Sequence, residues 1–295
     1  LTLFLIVPED IISIENFKLE ELTDLIKTLI SKNRDAAKKL KRKNKKLKLQ
    51  REELERINKD ITDGIQYAKR IQDSILTDAN LLKQTFNDSF VLNSPKEIVS
   101  GDFFWMHRFQ NKIFLALADC TGHGVPGAFT SIISNMVLNE IVVNNQVRNA
   151  SEILNGLNEK MNELFGSGEF STPAHDGLDI ALCIVDLDRD ILEFAGAGRP
   201  LLLIRKNDQR LLKGNTNSIG GAISGTNYIS QEISLEEGDM VYLFTDGYAD
   251  QFGGPSGKKF SSPSFYKLLQ SIADEPCDQQ NALLQQYHQQ WKSNV

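Results

Sequence analysis

Residues 112–129, KIFLALADCTGHGVPGAF, begin as an apolar run and end in a turn rich in glycine. The run 112–119 predicts a buried strand, because short apolar runs bounded by turn residues are typical of strands. Asp119 ends this strand, and the glycines of residues 122–127 let the backbone turn before a helix begins near Ala128. A carboxylate at a strand end is held rigidly, and small neighbours leave room for a ligand.

Two further aspartates stand in the same kind of setting. Asp102 lies in GDFFW (101–105) and Asp246 lies in TDG (245–247). Hard divalent cations prefer oxygen ligands, so carboxylates at strand ends predict a site for Mg²⁺ or Mn²⁺ and a phosphate. Taken singly, each aspartate is better explained as a turn residue. The metal hypothesis depends on all three acting together.

The chain after residue 78 alternates short apolar runs with Gly, Asn, Asp and Pro, which predicts strands joined by turns. The predicted strands are 88–92, 102–110, 112–119, 179–186, 191–197, 201–205 and 240–245. The predicted helices are 127–144, 151–165, 264–273 and 278–291. Consecutive strands followed by grouped helices favour an α+β fold over alternating βαβ units.

Residues 14–76 predict one long helix, since they contain no proline and are rich in Lys, Glu, Leu and Ile. Apolar residues recur every seven positions, which is typical of a coiled coil and predicts a homodimer. The repeating positions are Leu40, Leu47, Leu54, Ile61, Ala68 and Ile75, with Ile57 and Ile71 between them. Within this helix, eight of the eleven residues 38–48 are Lys or Arg, and none is acidic. A solvated helix face explains this run better than a dedicated anion-binding segment.

The charge and cysteine content of the chain argue against several classes of protein. The net charge of −6 and the pI near 5.4 argue against a nucleic-acid-binding protein. Three cysteines without a CxxC pair exclude a zinc ribbon and a disulfide framework, which favours the cytoplasm. The apolar run 1–7 is too short to cross a membrane, so it is interpreted as the end of a membrane span or a strand of an upstream domain. Membrane attachment is expected only through such an upstream region, in which case the chain would lie at the cytoplasmic face.

These observations predict three parts of the chain. Residues 1–13 are interpreted as the remainder of an upstream domain or membrane segment. Residues 14–78 are the helical coiled-coil linker, and residues 79–295 are the catalytic domain.

Four ordered motifs resemble the SpoIIE-type branch of the metal-dependent PPM protein phosphatases. They are residues 94–105 (SPKEIVSGDFFW), 118–129 (ADCTGHGVPGAF), 176–183 (DGLDIALC) and 243–254 (LFTDGYADQFGG). Their order and spacing agree with that branch over about residues 60–292, which is far more specific than one short motif.

The resemblance implies an αββα sandwich, in which two antiparallel sheets are flanked by helices, with two Mn²⁺ or Mg²⁺ ions at one end. It implies that Asp119 bridges the two ions, that Asp102 and the main-chain carbonyl of Cys120 hold one of them, and that Asp246 holds the other. A metal-activated water would then attack phosphorus in line, without a phosphoenzyme intermediate. Asp102, Asp119 and Asp246 are therefore the predicted catalytic residues.

Two neighbouring residues are left with alternative roles. His123 is interpreted as a residue that shapes the glycine turn rather than as a general acid, because three residues separate it from Asp119. Asp179 opens an apolar strand, where it would either support a metal ligand or cap a loop.

The implied function is hydrolysis of phosphoserine or phosphothreonine on a regulatory protein, and the resemblance points to an anti-sigma-factor antagonist. Members of the branch end in a further strand with an Asp-Asp pair, so residues 79–295 are expected to be truncated just before a ligand and a core strand. Asp250 is not expected to replace that ligand. The alternative is a catalytically impaired PPM-like module that binds a partner in a signalling complex.

Overall fold

A computed structural model of the chain describes residues 4–7, 10–13, 19–86, 88–166, 177–220 and 226–292. Contacts divide the chain into two units, residues 1–63 and 64–295. The division falls inside the long helix, so the last turns that the sequence assigns to the linker belong to the second unit.

The first unit contains a hairpin and most of a long helix. Strands β1 (Phe4–Val7) and β2 (Asp10–Ser13) pair antiparallel. Residues 4–7 of the apolar run 1–7 are a strand, and whether the run belongs to an upstream domain or a membrane segment stays a prediction. Helix α1 (Leu19–Ile75) confirms the predicted helix, and residues 14–18 lie outside the described part of the chain.

The apolar heptad residues of α1 are exposed to solvent, except Ala68, which is half-buried. Leu47 is 62% exposed and Leu54 is 60% exposed, although both are large and apolar. A helix that packs on a protein core buries its apolar stripe against that core. The stripe of α1 is exposed instead, so it forms an apolar seam on the surface of the helix.

The first sheet of the second unit has five antiparallel strands in the order β3-β4-β5-β6-β9. Their bounds are β3 Phe103–Phe109, β4 Lys112–Cys120, β5 Leu178–Asp186, β6 Ile191–Ala197 and β9 Ser230–Ser234. Side chains alternate between two cores, as the period of a strand requires. On β4, Phe114 and Ala116 pack on the helical side while Ile113 faces the second sheet.

The second sheet has three described strands in the order β10-β7-β8, again antiparallel. Their bounds are β7 Leu201–Arg205, β8 Asp208–Leu212 and β10 Met240–Leu243. Leu201 and Leu203 pack against Phe194 and Cys183 of the first sheet, and this contact forms the core between the sheets. A small hairpin, β11 (Phe252–Gly253) with β12 (Lys258–Lys259), lies apart from both sheets.

Helices cover both outer faces. Helix α3 (Gly124–Asn139), a π-helical turn (Glu140–Asn144) and α4 (Ala150–Gly166) pack on the first sheet. Helices α5 (Ser262–Ile272) and α6 (Cys277–Lys292) pack on the second, and a short α2 (Ala79–Thr85) follows α1. Residues 124–144 are apolar and long enough for a membrane span, but 56% of an 18-residue window within them is buried inside the protein. The layers are those of the predicted αββα sandwich.

The main errors in the predicted elements have simple causes. No strand forms at residues 88–92, where Phe90 and Leu92 pack beside α5 and α6 without a neighbouring strand to pair with. Strands β8 and β9 were missed because their sequences, DQRLL and SQEIS, are mostly polar and lie at sheet edges. Helix α3 starts three residues earlier than expected, since Pro126 is tolerated in a first helical turn. The helix α2 and the small hairpin were not predicted.

Candidate active site

The register of the first sheet brings three aspartates together at one end of the sheet, where neighbouring strands start or stop. Asp119, near the end of β4, lies directly opposite Asp179, near the start of β5. Asp102 immediately precedes β3, whose first residue Phe103 pairs with Ala118. In antiparallel strands the end of one strand meets the start of its neighbours, so all three carboxylates are close together.

Strand alternation aims two of these carboxylates at the second sheet. Ala118 and Cys120 belong to the core under the helices, so Asp119 points the other way. The same holds for Asp179, between Leu178 and Ile180. Both side chains therefore project into the layer between the sheets, where that layer opens to solvent.

The loops at one end of the second sheet contribute Arg199 and Asp246 to the same site. Leu201, at the start of β7, pairs with Leu243, at the end of β10. Arg199 precedes the first of these strands by two residues, and Asp246 follows the second by three.

Arg199 joins the carboxylates. Its Nη2 donates hydrogen bonds to Asp119 and to Asp246, the latter at 2.8 Å. Its Nε lies 3.4 Å from Asp179 but is buried and makes no hydrogen bond to a described residue. The side chain is only 12% exposed, so one guanidinium stands against three carboxylates in a partly desolvated place.

The clustering changes the acidity of Asp119. Burial and the nearby charge of Asp102 raise the pKa of Asp119 to about 7, although Arg199 acts in the opposite direction. The site holds more negative charge than its own arginine neutralises.

Neighbouring hydroxyls hold two of the carboxylates in position. Thr245 donates to Asp102 at 2.8 Å, and Ser218 donates to Asp179 at 2.5 Å. The amide of Asp102 donates to the side chain of Ser100 at 3.1 Å.

The glycine turn after β4 packs backbone against backbone. A Cβ on Gly127 would come within 2.6 Å of the carbonyl oxygen of Gly122, and one on Gly101 within 3.1 Å of the carbonyl oxygen of Cys120. Gly122 and Gly124 have φ of 88° and 65°, a conformation that favours glycine. These approaches place the Cys120 carbonyl beside the residue that precedes Asp102.

His123 lies at the rim of the site. Its Nδ1 is 2.6 Å from a carboxylate oxygen of Glu97, and its side chain is 90% exposed. It precedes α3 without capping the helix through its side chain. Asp250 accepts a hydrogen bond from Lys259 at 2.6 Å, and its expected absence from the ligand set stays a prediction.

A cleft of about 450 Å³ opens at this site. It is lined by Asp119, Cys120, Thr121, Gly122, His123, Asp179, Arg199, Ser218 and Asp246. Within the described residues, no three acidic, histidine or cysteine side chains are already arranged around a common ion position. The donor set nevertheless fits hard cations, because it consists of carboxylate oxygens in excess over positive charge.

The predicted site residues Asp102, Asp119, Cys120 and Asp246 are thus brought together, and their roles as metal ligands remain a prediction. Arg199 was missed, although it follows Gly198 at the end of an apolar strand, which is the criterion that selected the aspartates. Thr245 and Ser218 carry no sequence signal that distinguishes them. Asp176, in the third motif, lies outside the described residues.

Known proteins share this sequence pattern and fold. Residues 110–293 match the family described as Stage II sporulation protein E (SpoIIE). The phosphoserine phosphatase RsbU of Bacillus subtilis (strain 168) is 22% identical over 196 residues, which is 66% of this chain and 56% of that protein. The chain thus spans little more than half the length of this curated relative.

Solved structures agree with the family match. The SiaA-PP2C domain of Pseudomonas aeruginosa superposes with a TM-score of 0.72 at 29% identity, over 80% of this chain and 92% of that one. The PP2C phosphatase domain of SpoIIE from Bacillus subtilis, solved with a fragment of its regulatory domain, has a TM-score of 0.54 at 19% identity, over 65% and 52%, and shows the fold alone. The family match covers more than half of the sequence and includes Asp119, Asp246 and the glycine turn. This chain therefore belongs to the SpoIIE family of PP2C-type proteins.

Proposed function

We propose that this chain is a metal-dependent phosphatase that hydrolyses phosphoserine or phosphothreonine on a regulatory protein. The observation that carries the proposal is the convergence of Asp119, Asp179 and Asp246 around the single guanidinium of Arg199, with Asp102 beside Asp119. An excess of partly buried carboxylates is costly without cations, and phosphate esters need positive charge to bind.

Two Mn²⁺ or Mg²⁺ ions would be held by Asp102, Asp119, Asp246 and the main-chain carbonyl of Cys120. Such ions supply charge neutralisation for a phosphoryl group and activation of water. Thr245 and the Ser100 side chain fix Asp102, so the first of these carboxylates is positioned before any ligand binds.

Arg199 is suited to contact the phosphoryl group. A guanidinium binds phosphate oxygens through a planar pair of donors, and the side chain of Arg199 lines the cleft. The carboxylates Asp119 and Asp179 fix the plane of this guanidinium at the floor of the cleft.

A phosphorylated side chain of a protein suits the cleft better than a buried metabolite does. Thr121, Gly122 and His123 at its rim are exposed, so a protein surface is able to approach. The related RsbU is named a phosphoserine phosphatase, which supports phosphoserine as the reacting group. We propose an anti-sigma-factor antagonist as the substrate class.

The exposed seam of α1 supports a homodimer. Seven-residue spacing with exposed Leu47, Leu54 and Ile61 is what a parallel coiled coil requires of each partner. We place the protein in the cytoplasm, because its three cysteines are free and buried.

The test measures Mn²⁺-dependent release of phosphate from a phosphoserine protein by the full chain and by Asp119→Asn. A matched control is Asp208→Asn, an exposed aspartate on β8. Calorimetry with Mn²⁺ alone is run on all three proteins.

We expect turnover and Mn²⁺ binding by the original chain and the control, and loss of both in Asp119→Asn. Binding of Mn²⁺ without turnover would support the alternative, a module that binds a partner without hydrolysis. Turnover unaffected by Asp119→Asn would overturn the proposed site.

A further inference from the structure

The middle of α1 carries an unusual concentration of positive charge, which we call the basic segment, residues 38–48. Eight of the chain's 33 Lys and Arg residues fall in these eleven positions, and none of its 39 acidic residues does. All eleven residues are exposed. The proposed phosphatase reaction does not use this segment.

The charges cover most of the circumference of the helix. At 3.6 residues per turn, the eight basic side chains span an arc of about 220°, while Leu40, Asn44 and Leu47 occupy the remaining side. The two leucines belong to the apolar seam, so a dimer formed through that seam would leave the basic arc facing outwards. The segment is about 16 Å long.

The basic segment lacks the counter-charges found elsewhere on α1. Among the described residues, its single carboxylate neighbour is Glu52, 3.8 Å from Lys48 at the very end of the segment. Four of the eight basic residues of α1 outside the segment are paired with acids on the same helix. These pairs are Lys27–Asp24, Arg51–Glu55, Arg56–Glu53 and Lys69–Asp73.

This concentration of like charges lowers the stability of the helix. Like charges at spacings of three and four residues repel each other, as between Lys38 and Arg42 or Arg42 and Lys45. Lys38, Lys41, Arg42 and Lys45 together line one shallow concavity of the helix surface. The sequence alone favours a solvated face for this run, but a solvated face does not require that acids be excluded from eleven consecutive positions.

From this charge pattern we infer that the basic segment binds an anionic lipid surface. Seven of its eight charges are lysines, which act as point charges suited to a diffuse layer of lipid headgroups. Nucleic acids fit less well, because base recognition relies on Arg, Asn and Gln, and single strands require aromatic stacking. Residues 18–66 contain no aromatic side chain. Membrane contact through the described helix differs from the expectation that only an upstream region would reach a membrane.

The test uses the full chain and sedimentation with vesicles of neutral phosphatidylcholine, with or without about 30 mol % phosphatidylglycerol. The variant Lys38→Gln/Lys41→Gln/Arg42→Gln/Lys45→Gln removes four charges and keeps good helix formers. The matched control, Lys27→Gln/Arg51→Gln/Arg56→Gln/Lys69→Gln, removes four charges that have acidic partners. Circular dichroism checks that both variants stay helical.

We expect binding to the anionic vesicles alone, and a partition coefficient at least about tenfold lower in the segment variant than in the control. Raising the salt from about 0.05 M to about 0.5 M should release the unmodified chain from the vesicles, because screening acts on exposed charges. The salt step tests the inference even if a variant folds poorly.

Three results would overturn the inference. The first is partition no greater than to neutral vesicles, and the second is an equal loss in the control. The third is tighter binding to a short DNA duplex or to single-stranded RNA than to the vesicles at the same salt, which would assign the segment to nucleic acid.

Discussion

The side-chain amide of Gln72 donates a 2.7 Å hydrogen bond to the main-chain carbonyl of Ser100, two residues before Asp102. Gln72 is only 1% exposed, and it also donates to the Ser131 side chain on α3 at 2.9 Å. Its carbonyl oxygen accepts the Ser100 amide at 3.3 Å. The end of α1 is therefore tied directly to the loop that carries a predicted metal ligand.

Replacing this amide should loosen that loop. We expect Gln72→Leu to lower the free energy of unfolding by about 1–3 kcal/mol, because the partly buried main-chain groups of Ser100 lose their partner. It should also weaken Mn²⁺ binding. Urea titration and calorimetry test this, with the exposed Gln66→Leu on the same helix as control. Unchanged Mn²⁺ affinity would show that the hydrogen bonds between Gln72 and Ser100 do not affect metal binding.

Arg199 should stabilise the fold most when divalent ions are withheld. We expect Arg199→Met to lower the free energy of unfolding in EDTA by about 1–3 kcal/mol, because Asp119 and Asp246 would lose their cation. Added Mn²⁺ should restore more stability to this variant than to the original chain. Urea titrations in both buffers measure the difference, and the exposed Arg210→Met is the control. Equal losses in the two variants would contradict the prediction.

The raised pKa of Asp119 predicts a pH dependence of stability without metal. Its folded-state pKa of about 7 exceeds the ordinary value of 3.8, so the native state binds more protons between those values. Stability from this group therefore falls as pH rises from about 4 to 7, by at most about 1.4 kcal/mol per pH unit. The difference between the original chain and Asp119→Asn, measured by urea titration in EDTA, should show that slope. A flat difference would mean that Asp119 is ionised throughout this range.

The same Gly→Ala substitution should have opposite effects in the glycine turn, at Gly127, and on the long helix, at Gly64. Gly127→Ala would force a Cβ within 2.6 Å of the Gly122 carbonyl oxygen, so we expect about 1–3 kcal/mol of destabilisation and weaker Mn²⁺ binding. Gly64→Ala meets nothing within 4 Å on an exposed helix and should stabilise by up to about 1 kcal/mol. Thermal unfolding of both variants tests the pair. A Gly127→Ala chain with normal stability would show that the turn has room to adjust.

The coiled-coil proposal predicts the oligomeric state. Leu54 and Ile61 are exposed on one chain, so pairing with a second chain would bury them. We expect a dimer that dissociates in Leu54→Glu/Ile61→Glu, measured by light scattering across a concentration series. Exposed Glu52→Gln/Asp63→Asn is the control away from the seam. A monomeric original chain would contradict the proposal.

The sequence by itself determined the elements whose signals are local. The composition of α1 and the seven-residue spacing of its apolar residues involve only residues that are close together in the sequence. The apolar runs of β4 to β7 are likewise continuous in the sequence, and they predict strands that are buried on both faces. The aspartates at strand ends could be selected for the same reason, because a carboxylate beside glycine after an apolar run needs no knowledge of distant residues.

Only the tertiary structure decided which distant residues meet. Arg199 reaches Asp119 because the chain leaves the first sheet after β6 and enters the second at β7, so two strand ends face each other across the sandwich. The polar strands β8 and β9 form because a neighbouring strand satisfies their backbone groups, which no pattern of their own side chains reveals. Conversely, residues 88–92 have the pattern of a strand but find no strand beside them. The pairing of β9 with β6 joins segments more than thirty residues apart, so it exists only once the sheet has assembled, whereas β8 pairs with the adjacent β7 across a two-residue turn.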